Sequence, residues 1–142
     1  EDAWDHNCKI SPAFTRDQEL HKVEPYVYCQ MVAGNDAYLP GEGKNSWLTG
    51  TAAWTFCNIS QYILGVYPTH KGLQIDPCVP HDFGDFKITR KFRGGVYNIE
   101  VKNPSDVEKG VKSMTVNGQA VDGCIVPFVE GQKEYNVVIT MG

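Results

Sequence analysis

The most constraining feature of this chain is an abrupt change of character at residue 50. Residues 41–50 form a glycine-rich polar loop, and residues 51–64 are apolar on nearly every face of a helix. At the junction, the hydroxyl of either Thr49 or Thr51 can cap the helix, and Gly50 leaves the main chain open. Gly65 follows at the position where glycine commonly ends a helix. The pattern predicts a sharply bounded helix.

The start of such a helix attracts anions. Its first four backbone N–H groups lack intrahelical partners, and the helix dipole places roughly +0.5 of an elementary charge there. Phosphate binds readily at such ends. Thr49 and Gly50 are therefore candidate phosphate ligands, while Thr-Gly-Thr before a helix is more often simply a cap.

Composition excludes several other functions. The 142 residues carry a net charge of −4 and no basic block, which argues against nucleic acid as a partner. We find no apolar run of membrane-spanning length and no signal peptide, and we expect a cytoplasmic protein. Five scattered cysteines and four unclustered histidines predict free thiols and no metal site. Because the chain begins at Glu1 and not at Met, we expect further sequence before it.

Two halves differ in periodicity, and we place a domain boundary between residues 72 and 73. Residues 1–72 are predicted to be mainly helical, with helices at 3–10, 24–33 (Pro25 in its first turn) and 51–64. Residues 73–142 alternate apolar and polar positions, which is typical of short strands in a sandwich. The predicted strands are 86–92, 96–102, 112–116, 124–128 and 135–141.

Turn chemistry supports the strand half. Arg93-Gly94-Gly95 is predicted to form a tight hairpin, and Asn117-Gly118 is a strong two-residue hairpin signal. The proline-rich run Asp76–Pro80 is expected to be a connector. The fold class is therefore α+β.

The helical half carries more apolar surface than a piece of its size can bury. A self-sufficient module would place polar residues at Phe56, Ile59, Tyr62 and Ile63, and this chain does not. We therefore expect the helices to pack against partners that the chain itself does not contain.

Four motifs, in order along the chain, resemble the C-terminal end of glycoside hydrolase family 94, the family of cellobiose, cellodextrin and chitobiose phosphorylases. They are HKVEPYVYCQ (21–30), GEGKNSWLTGTAAW (41–54), GLQIDPCVP (72–80) and RKFRG (90–94). The resemblance implies the last helices of an (α/α)6 barrel over 1–72 and a small C-terminal antiparallel β-sandwich over 73–142. It also implies a cytoplasmic homodimer.

The same resemblance implies inverting phosphorolysis. Phosphate is a co-substrate that attacks a β-linked disaccharide, with cellobiose as the expected substrate, and the products are α-glucose 1-phosphate and glucose. Neither a metal nor another cofactor is implied. Thr49 and Gly50 match the family's phosphate-binding pair, and Gln30 matches a glutamine at the sugar subsite.

No catalytic residue is expected in this chain, because the family's general acid lies upstream of the region matched here. The isolated chain is therefore expected to be inactive and to work only beside the remainder of the enzyme. Asp76, Asp82 and Asp85 occupy connector and turn positions, where Asp is common for turn chemistry.

Other residues near the junction have plainer interpretations. Glu42 is expected to be a solvated loop charge, and Lys44 either that or a source of positive potential near phosphate. Trp47 and Trp54 are expected in the core, with a sugar-stacking platform as the alternative. Two other functions stay open: a noncatalytic carbohydrate-binding or scaffold module, and a glucoamylase-like hydrolase, against which Thr49-Gly50 argues.

Overall fold

A computed structural model describes residues 1–24 and 26–142 of the chain. The chain divides into two compact units, residues 2–57 and residues 58–142, with Glu1 belonging to the latter. We call them the N-terminal and C-terminal units. The division at residue 57 is that of this chain, and the domain boundary at residue 72 stays a prediction for the parent protein.

The N-terminal unit consists of short elements. Its helices and strands are α1 (Asp2–Ile10), a 3-10 turn (Pro12–Phe14), α2 (Gln18–His21), β1 (Cys29–Val32), β2 (Gly43–Ser46) and α3 (Thr51–Cys57). Helix α1 confirms the helix predicted at 3–10.

The helix predicted at 24–33 is wrong. Residues 29–32 form β1, which pairs antiparallel with β2, and Pro25 lies outside the described residues. The pairing depends on Gly43, where a Cβ atom would come within 3.0 Å of the His21 carbonyl oxygen and 3.3 Å of the Cys29 sulfur. This close approach is a tertiary effect that overrides local propensity.

The helix predicted over 51–64 is present but changes its winding. It is α-helical through Cys57 and π-helical over Asn58–Ile63, where the Leu64 N–H donates to the Ile59 carbonyl at 2.8 Å. Gly65 follows with φ +71°, which confirms its predicted left-handed capping role.

Eight strands form the C-terminal unit. They are β3 (Val66–Pro68), β4 (Gly72–Ile75), β5 (Phe86–Phe92), β6 (Gly95–Lys102), β7 (Val111–Val116), β8 (Gln119–Val121), β9 (Ile125–Pro127) and β10 (Glu134–Met141). The five strands predicted from alternation correspond to β5, β6, β7, β9 and β10. The α+β class is confirmed.

The strands form a five-stranded sheet in the order β5-β6-β10-β7-β8 and a three-stranded sheet in the order β3-β4-β9. The expectation of a purely antiparallel arrangement is wrong, because β10 runs parallel to β6. A parallel pair requires a long crossover, and the chain from residue 103 to residue 133 supplies it. Alternation within single strands could not reveal this topology.

Both predicted hairpins are confirmed. Arg93 and Gly94 join β5 to β6 with φ values of 47° and 76°, and Asn117 and Gly118 join β7 to β8 with values of 51° and 82°. Two successive positive φ values are the signature of the type I′ turn, whose twist suits a two-residue hairpin.

One face of β6 and one face of β10 supply much of the C-terminal core. Tyr97 and Tyr135 are adjacent in the parallel register, and their rings stack with centroids 4.1 Å apart and planes 2° apart. Leu73 of β4 and Val126 of β9 are fully buried as well. Among the described residues, no helix is both long and apolar enough to cross a membrane.

Candidate phosphate and sugar site

Two hydrogen bonds of ordinary length define the start of α3. The Trp54 N–H donates to the Gly50 carbonyl at 3.1 Å, which makes Gly50 the first residue of the helical hydrogen-bond pattern. The Thr51 N–H donates to the Thr49 hydroxyl, also at 3.1 Å. Gly50 is therefore the N-cap residue by its main chain, and Thr49, one of the two threonines predicted to cap the helix, satisfies the Thr51 N–H from the preceding position.

The hydroxyl groups of Thr49 and Thr51 hydrogen-bond to each other, and one of their two protons remains available to a further acceptor. Their oxygens lie 2.7 Å apart, so one hydroxyl donates to the other. Each hydroxyl has a single proton, and whichever one accepts keeps its own proton for another acceptor. The backbone N–H groups of Ala52 and Ala53 make no hydrogen bond within the part of the chain that the structure describes. The helix start therefore presents one hydroxyl and two amide donors.

Gly50 is exposed, and the fold itself does not demand a glycine there. Its φ is outside the left-handed region, and an added Cβ would meet only the Trp54 ring at 3.8 and 4.0 Å, which is ordinary contact distance. The residue contrasts with Gly43, which the β1–β2 pairing requires. A need for glycine at position 50 would therefore come from a bound partner.

Trp47 lies two residues before Thr49 and has an unusual backbone conformation. Its φ of 69° is rare for a bulky residue, and its indole N–H donates to Glu24 Oε1 at 3.1 Å. Hydrogen bonds from the backbone of Glu24 and from Trp47 hold the pKa of the Glu24 carboxyl below its usual value of 4.5. Tyr26 packs edge-on against the indole at 6.3 Å.

The expected core positions of Trp47 and Trp54 are wrong. Trp47 is 67% exposed despite its contacts with Glu24 and Tyr26, and Trp54 is 78% exposed. The wider expectation of excess apolar surface is confirmed at Phe56 and Tyr62, which are 62% and 63% exposed, and is wrong at Ile63, which is buried. Aromatic rings next to Thr49 and Gly50 are thus available to a ligand or a partner.

Gln30 lies on β1 and not on a helix. It is exposed, and its Oε1 accepts a hydrogen bond from the Asn45 side-chain amide across the strand pair, at 3.1 Å. β2 ends at Ser46, so only Trp47 and Leu48 separate that strand from Thr49. The structure thus connects Gln30 to the strand that leads into the junction, without a direct contact to Thr49 or Gly50 among the described residues.

The expectation that Glu42 is a solvated loop charge is wrong. Its side chain is only 16% exposed and accepts hydrogen bonds from Lys44 and, at 3.2 Å, from Lys22. These bonds, with that from Lys44 the larger effect, lower the pKa of the Glu42 carboxyl below 4.5. Lys44 is consequently ion-paired, which reduces the positive potential it can offer to phosphate.

A cleft of about 550 Å³ lies within the N-terminal unit. Apolar side chains dominate its wall, and Thr51, Tyr28 and His21 add polar groups. Sequence reasoning missed Tyr28 and His21, because the lining comes from several segments and no spacing links them. The His21 ring nitrogen Nδ1 lies 3.2 Å from the Gly41 carbonyl oxygen, which anchors the loop beside the cleft.

The comparisons with known proteins agree on one family. The model of the glycosyl hydrolase 94 superfamily catalytic domain matches residues 1–65. An N,N'-diacetylchitobiose phosphorylase of Vibrio proteolyticus is 44% identical over 124 residues, which cover 87% of this chain and 15% of that enzyme. The chain belongs to the glycosyl hydrolase 94 superfamily. The resemblance inferred from the four motifs is confirmed.

Two further relatives of this glycosyl hydrolase 94 chain carry related names. An N,N'-diacetylchitobiose phosphorylase of Vibrio furnissii is 38% identical, covering 85% of this chain and 15% of its own. A solabiose phosphorylase of Paenibacillus borealis is 31% identical, covering 99% of this chain and 18% of its own. The chain thus spans less than a fifth of the length of these three relatives. Gln30, Thr49 and Gly50 all lie within the region that the family model matches.

One cluster of potential metal ligands occurs among the described residues of this glycosyl hydrolase 94 chain. Atoms of Glu1, His81 and Glu108 approach within 4.8 Å of one another in the C-terminal unit. The Glu1 ammonium group donates to Glu108 Oε1 at 2.8 Å, and both Glu1 and His81 are exposed. The cluster therefore has the character of a surface ion-pair network.

Proposed function

We propose that this chain is part of an inverting glycoside phosphorylase, a cytoplasmic homodimer that cleaves a β-linked disaccharide with inorganic phosphate to give an α-sugar 1-phosphate. The observation that carries the proposal is the 44% identity to an N,N'-diacetylchitobiose phosphorylase over 87% of the chain. In this proposal, the last helices of an (α/α)6 barrel and a C-terminal β-sandwich are contributed by the chain. The general acid comes from elsewhere in the enzyme.

Thr49 and Gly50 bind phosphate in this proposal. A phosphate that acts as a nucleophile must be held and aimed in a site that restricts water. One threonine hydroxyl and the Ala52 and Ala53 amides offer three donors without a full positive charge, so phosphate is oriented but not trapped. Gly50 allows the anion close to the main chain, which explains a glycine that the fold does not require.

Gln30 binds the sugar in this proposal. Its side-chain amide can donate and accept, which suits a sugar hydroxyl. One amide oxygen lone pair is engaged by Asn45 at 3.1 Å, and this bond orients the side chain across the strand pair. The N–H groups of the Gln30 amide remain available to a hydroxyl oxygen.

Cellobiose is the substrate that the sequence motifs favour, and two relatives named for N,N'-diacetylchitobiose make that sugar the first competitor. The test is an assay of the native protein that carries this chain, with each disaccharide, with and without phosphate. Phosphate-dependent release of glucose 1-phosphate from cellobiose, or of N-acetylglucosamine 1-phosphate from diacetylchitobiose, supports the proposal. Cleavage that proceeds equally without phosphate contradicts it and favours a hydrolase.

Two matched pairs of variants test the phosphate role. Gly50→Ala should lower kcat/KM for phosphate about 10- to 100-fold, because the added Cβ obstructs close approach of the anion to the main chain and misplaces it. Gly34→Ala is the control, since nothing lies within 4 Å of a Cβ at that position. Thr49→Ala should act similarly to Gly50→Ala, while Thr49→Ser and Thr55→Ala should stay within about twofold of the native protein. Equal losses in Gly34→Ala and Gly50→Ala would refute the assignment.

A further inference from the structure

A second cavity lies wholly within the C-terminal unit and contains none of Gln30, Thr49 and Gly50. Its volume is about 260 Å³. The side chains that define its chemistry are two tyrosines, two glutamines and an ion pair: Tyr62, Tyr67, Gln61, Gln74, Asp76 and Lys109. We call this the tyrosine cavity.

The backbone builds the tyrosine cavity from three segments. The π-helical turn presents Gln61 and Tyr62, and such turns occur frequently at functional sites. Tyr67 of β3 stands directly opposite Gln74 of β4 in the antiparallel register, so the two side chains share one face.

Close packing fixes the distance between these segments. The Asp76 N–H donates to the Gly65 carbonyl at 2.9 Å, and a Cβ at Gly65 would lie only 2.2 Å from the Asp76 carbonyl group. The Cys78 N–H donates to the Ile63 carbonyl at 2.9 Å. The cavity is therefore pre-formed by main-chain contacts and does not depend on flexible side chains alone.

The two aromatic rings are unusually exposed for their size. Tyr62 is 63% and Tyr67 is 41% exposed, with ring centroids 6.3 Å apart and planes inclined by 55°. Between them they present two inclined apolar faces. Tyrosine is suited to such a position, since its ring packs on apolar groups while its hydroxyl stays wet.

The polar groups around the rings can both donate and accept. Each glutamine amide does both, the Asp76 carboxylate accepts, and the Lys109 ammonium donates. Lys109 Nζ lies 3.7 Å from Asp76 Oδ2, so the pair contributes no net charge. The cavity thus selects a neutral ligand that has apolar faces and several hydroxyl groups.

We propose that the tyrosine cavity binds one sugar unit of a β-linked saccharide. A pyranose ring offers an apolar C–H face for a tyrosine and an edge of hydroxyls for the amides and the ion pair. The volume falls just below the range of roughly 300–1,000 Å³ typical of clefts for drug-sized ligands, which suits a single ring. The choice of β-linked sugars rests on the proposed function, whereas the binding itself requires no catalysis.

Cys78 provides a reporter inside the cavity. It lines the tyrosine cavity and is exposed, whereas Cys124 belongs to the same unit, is half-buried and does not line the cavity. The native protein is alkylated with iodoacetamide in phosphate-free buffer, with and without cellobiose or N,N'-diacetylchitobiose at tens of millimolar. Peptide mass spectrometry then gives the alkylation rate of each cysteine separately. Glycerol at equal mass concentration controls for viscosity.

The expected result is that at least one of the two sugars slows alkylation of Cys78 threefold or more and leaves Cys124 unchanged. Tyr67→Ala should abolish that protection, while Tyr38→Ala, at a position 97% exposed and outside the cavity, should preserve it. A thermal melt of each variant checks that it is folded, and Gln74→Ala is the second variant if Tyr67→Ala unfolds.

Three results would overturn the proposal: an unchanged Cys78 rate with both sugars, protection that survives in both cavity variants, or a Cys78 that does not react at all. Gly50→Ala separates this inference from the proposed function, because it should lower kcat/KM for phosphate about 10- to 100-fold and leave Cys78 protection intact. Protection without any phosphorolysis in the native protein would refute the proposed function and keep the cavity assignment.

Discussion

The two units differ in how many of their large hydrophobic side chains they bury. Among the described residues, the N-terminal unit buries one hydrophobic side chain of the core, Val27, whereas the C-terminal unit buries fourteen, from Ile63 to Met141. Large exposed apolar residues show the reverse distribution, with ten in the N-terminal unit and four in the C-terminal unit. The C-terminal unit buries many of its hydrophobic side chains in its own core. The N-terminal unit leaves most of its large hydrophobic side chains exposed, and such a surface suits packing against a partner.

That contrast matches the placement of the predicted site. Gln30, Thr49 and Gly50 all belong to the unit with the open surface, where exposed aromatic rings and unpaired amide groups adjoin the helix start. The C-terminal unit carries a cavity of its own. Binding residues commonly lie in loops and at the ends of elements, as Thr49 and Gly50 do at the start of α3, whereas Gln30 lies within β1.

The largest expected effect comes from comparing two leucines. Leu73 is fully buried in the C-terminal unit, whereas Leu48 is 68% exposed in the N-terminal unit. Leu73→Ala should lower the free energy of unfolding by about 2–5 kcal/mol, since it leaves a cavity. Leu48→Ala should change it by less than about 0.5 kcal/mol. Urea denaturation of the native protein measures both, and a large cost at Leu48 would mean that this surface is covered there.

A comparison of Gly65 with Gly84 tests how tightly the C-terminal unit is packed. Gly65 and Gly84 have nearly equal φ values of 71° and 72°, but only Gly65 faces a neighbouring main chain. Gly65→Ala should cost about 2–4 kcal/mol from backbone strain plus overpacking, and Gly84→Ala about 1–2 kcal/mol from strain alone. Thermal unfolding measures the loss of stability in each variant. Equal losses would show that the main chain near Asp76 shifts at little cost to accommodate the added Cβ at position 65.

Acid should act on the N-terminal unit through Glu42. Its folded pKa is lowered by Lys44 and Lys22, so its stabilising contribution is present above the ordinary value of 4.5 and is lost as pH falls through the lowered pKa. Glu42→Gln should remove that part of the acid sensitivity. Near-ultraviolet circular dichroism between pH 6 and pH 3, which reports on the packing of aromatic side chains, checks this, with Glu130→Gln as the exposed control. Superimposable acid transitions in native and Glu42→Gln proteins would contradict it.

The smallest expected effect belongs to His81 in the C-terminal unit. A hydrogen bond between ring Nδ1 and the Asp106 carbonyl, at 2.9 Å, raises the pKa of His81 above 6.5, and nearby carboxylates add to the shift. The resulting stabilisation is fully present below pH 6.5 and is lost as pH rises through the folded pKa. Titration of the ring proton resonances by NMR should give a midpoint above 6.5. A midpoint at or below that value would disprove the predicted shift, and His81→Gln identifies the resonance.

Local sequence signals predicted much of this architecture. Alternation located β5 exactly at 86–92 and β6 within one residue, since a half-buried strand needs an apolar side chain at every second position. Gly94 and the dipeptide Asn117-Gly118 predicted their turns because glycine and asparagine accept positive φ more readily than other residues, whereas nothing local favours the φ of 47° at Arg93. Thr49 and Thr51 were the predicted caps, because a threonine oxygen can accept an unpaired N–H at a helix start, and the Thr49 hydroxyl accepts the Thr51 N–H.

Tertiary structure alone decided the rest. The segment 29–32 is a strand because Gly43 lets β2 approach it, and no local pattern in 24–33 records that approach. The parallel pairing of β6 and β10 joins residues far apart in the chain. Glu42 is a half-enclosed ion-pair centre because folding brings Lys22 to it. The sequence by itself determined the family, the turns and the capped helix start. Contacts between segments distant in the sequence depend on the tertiary fold, so only the folded structure could decide the β1–β2 and β6–β10 pairings and the Lys22–Glu42 ion pair.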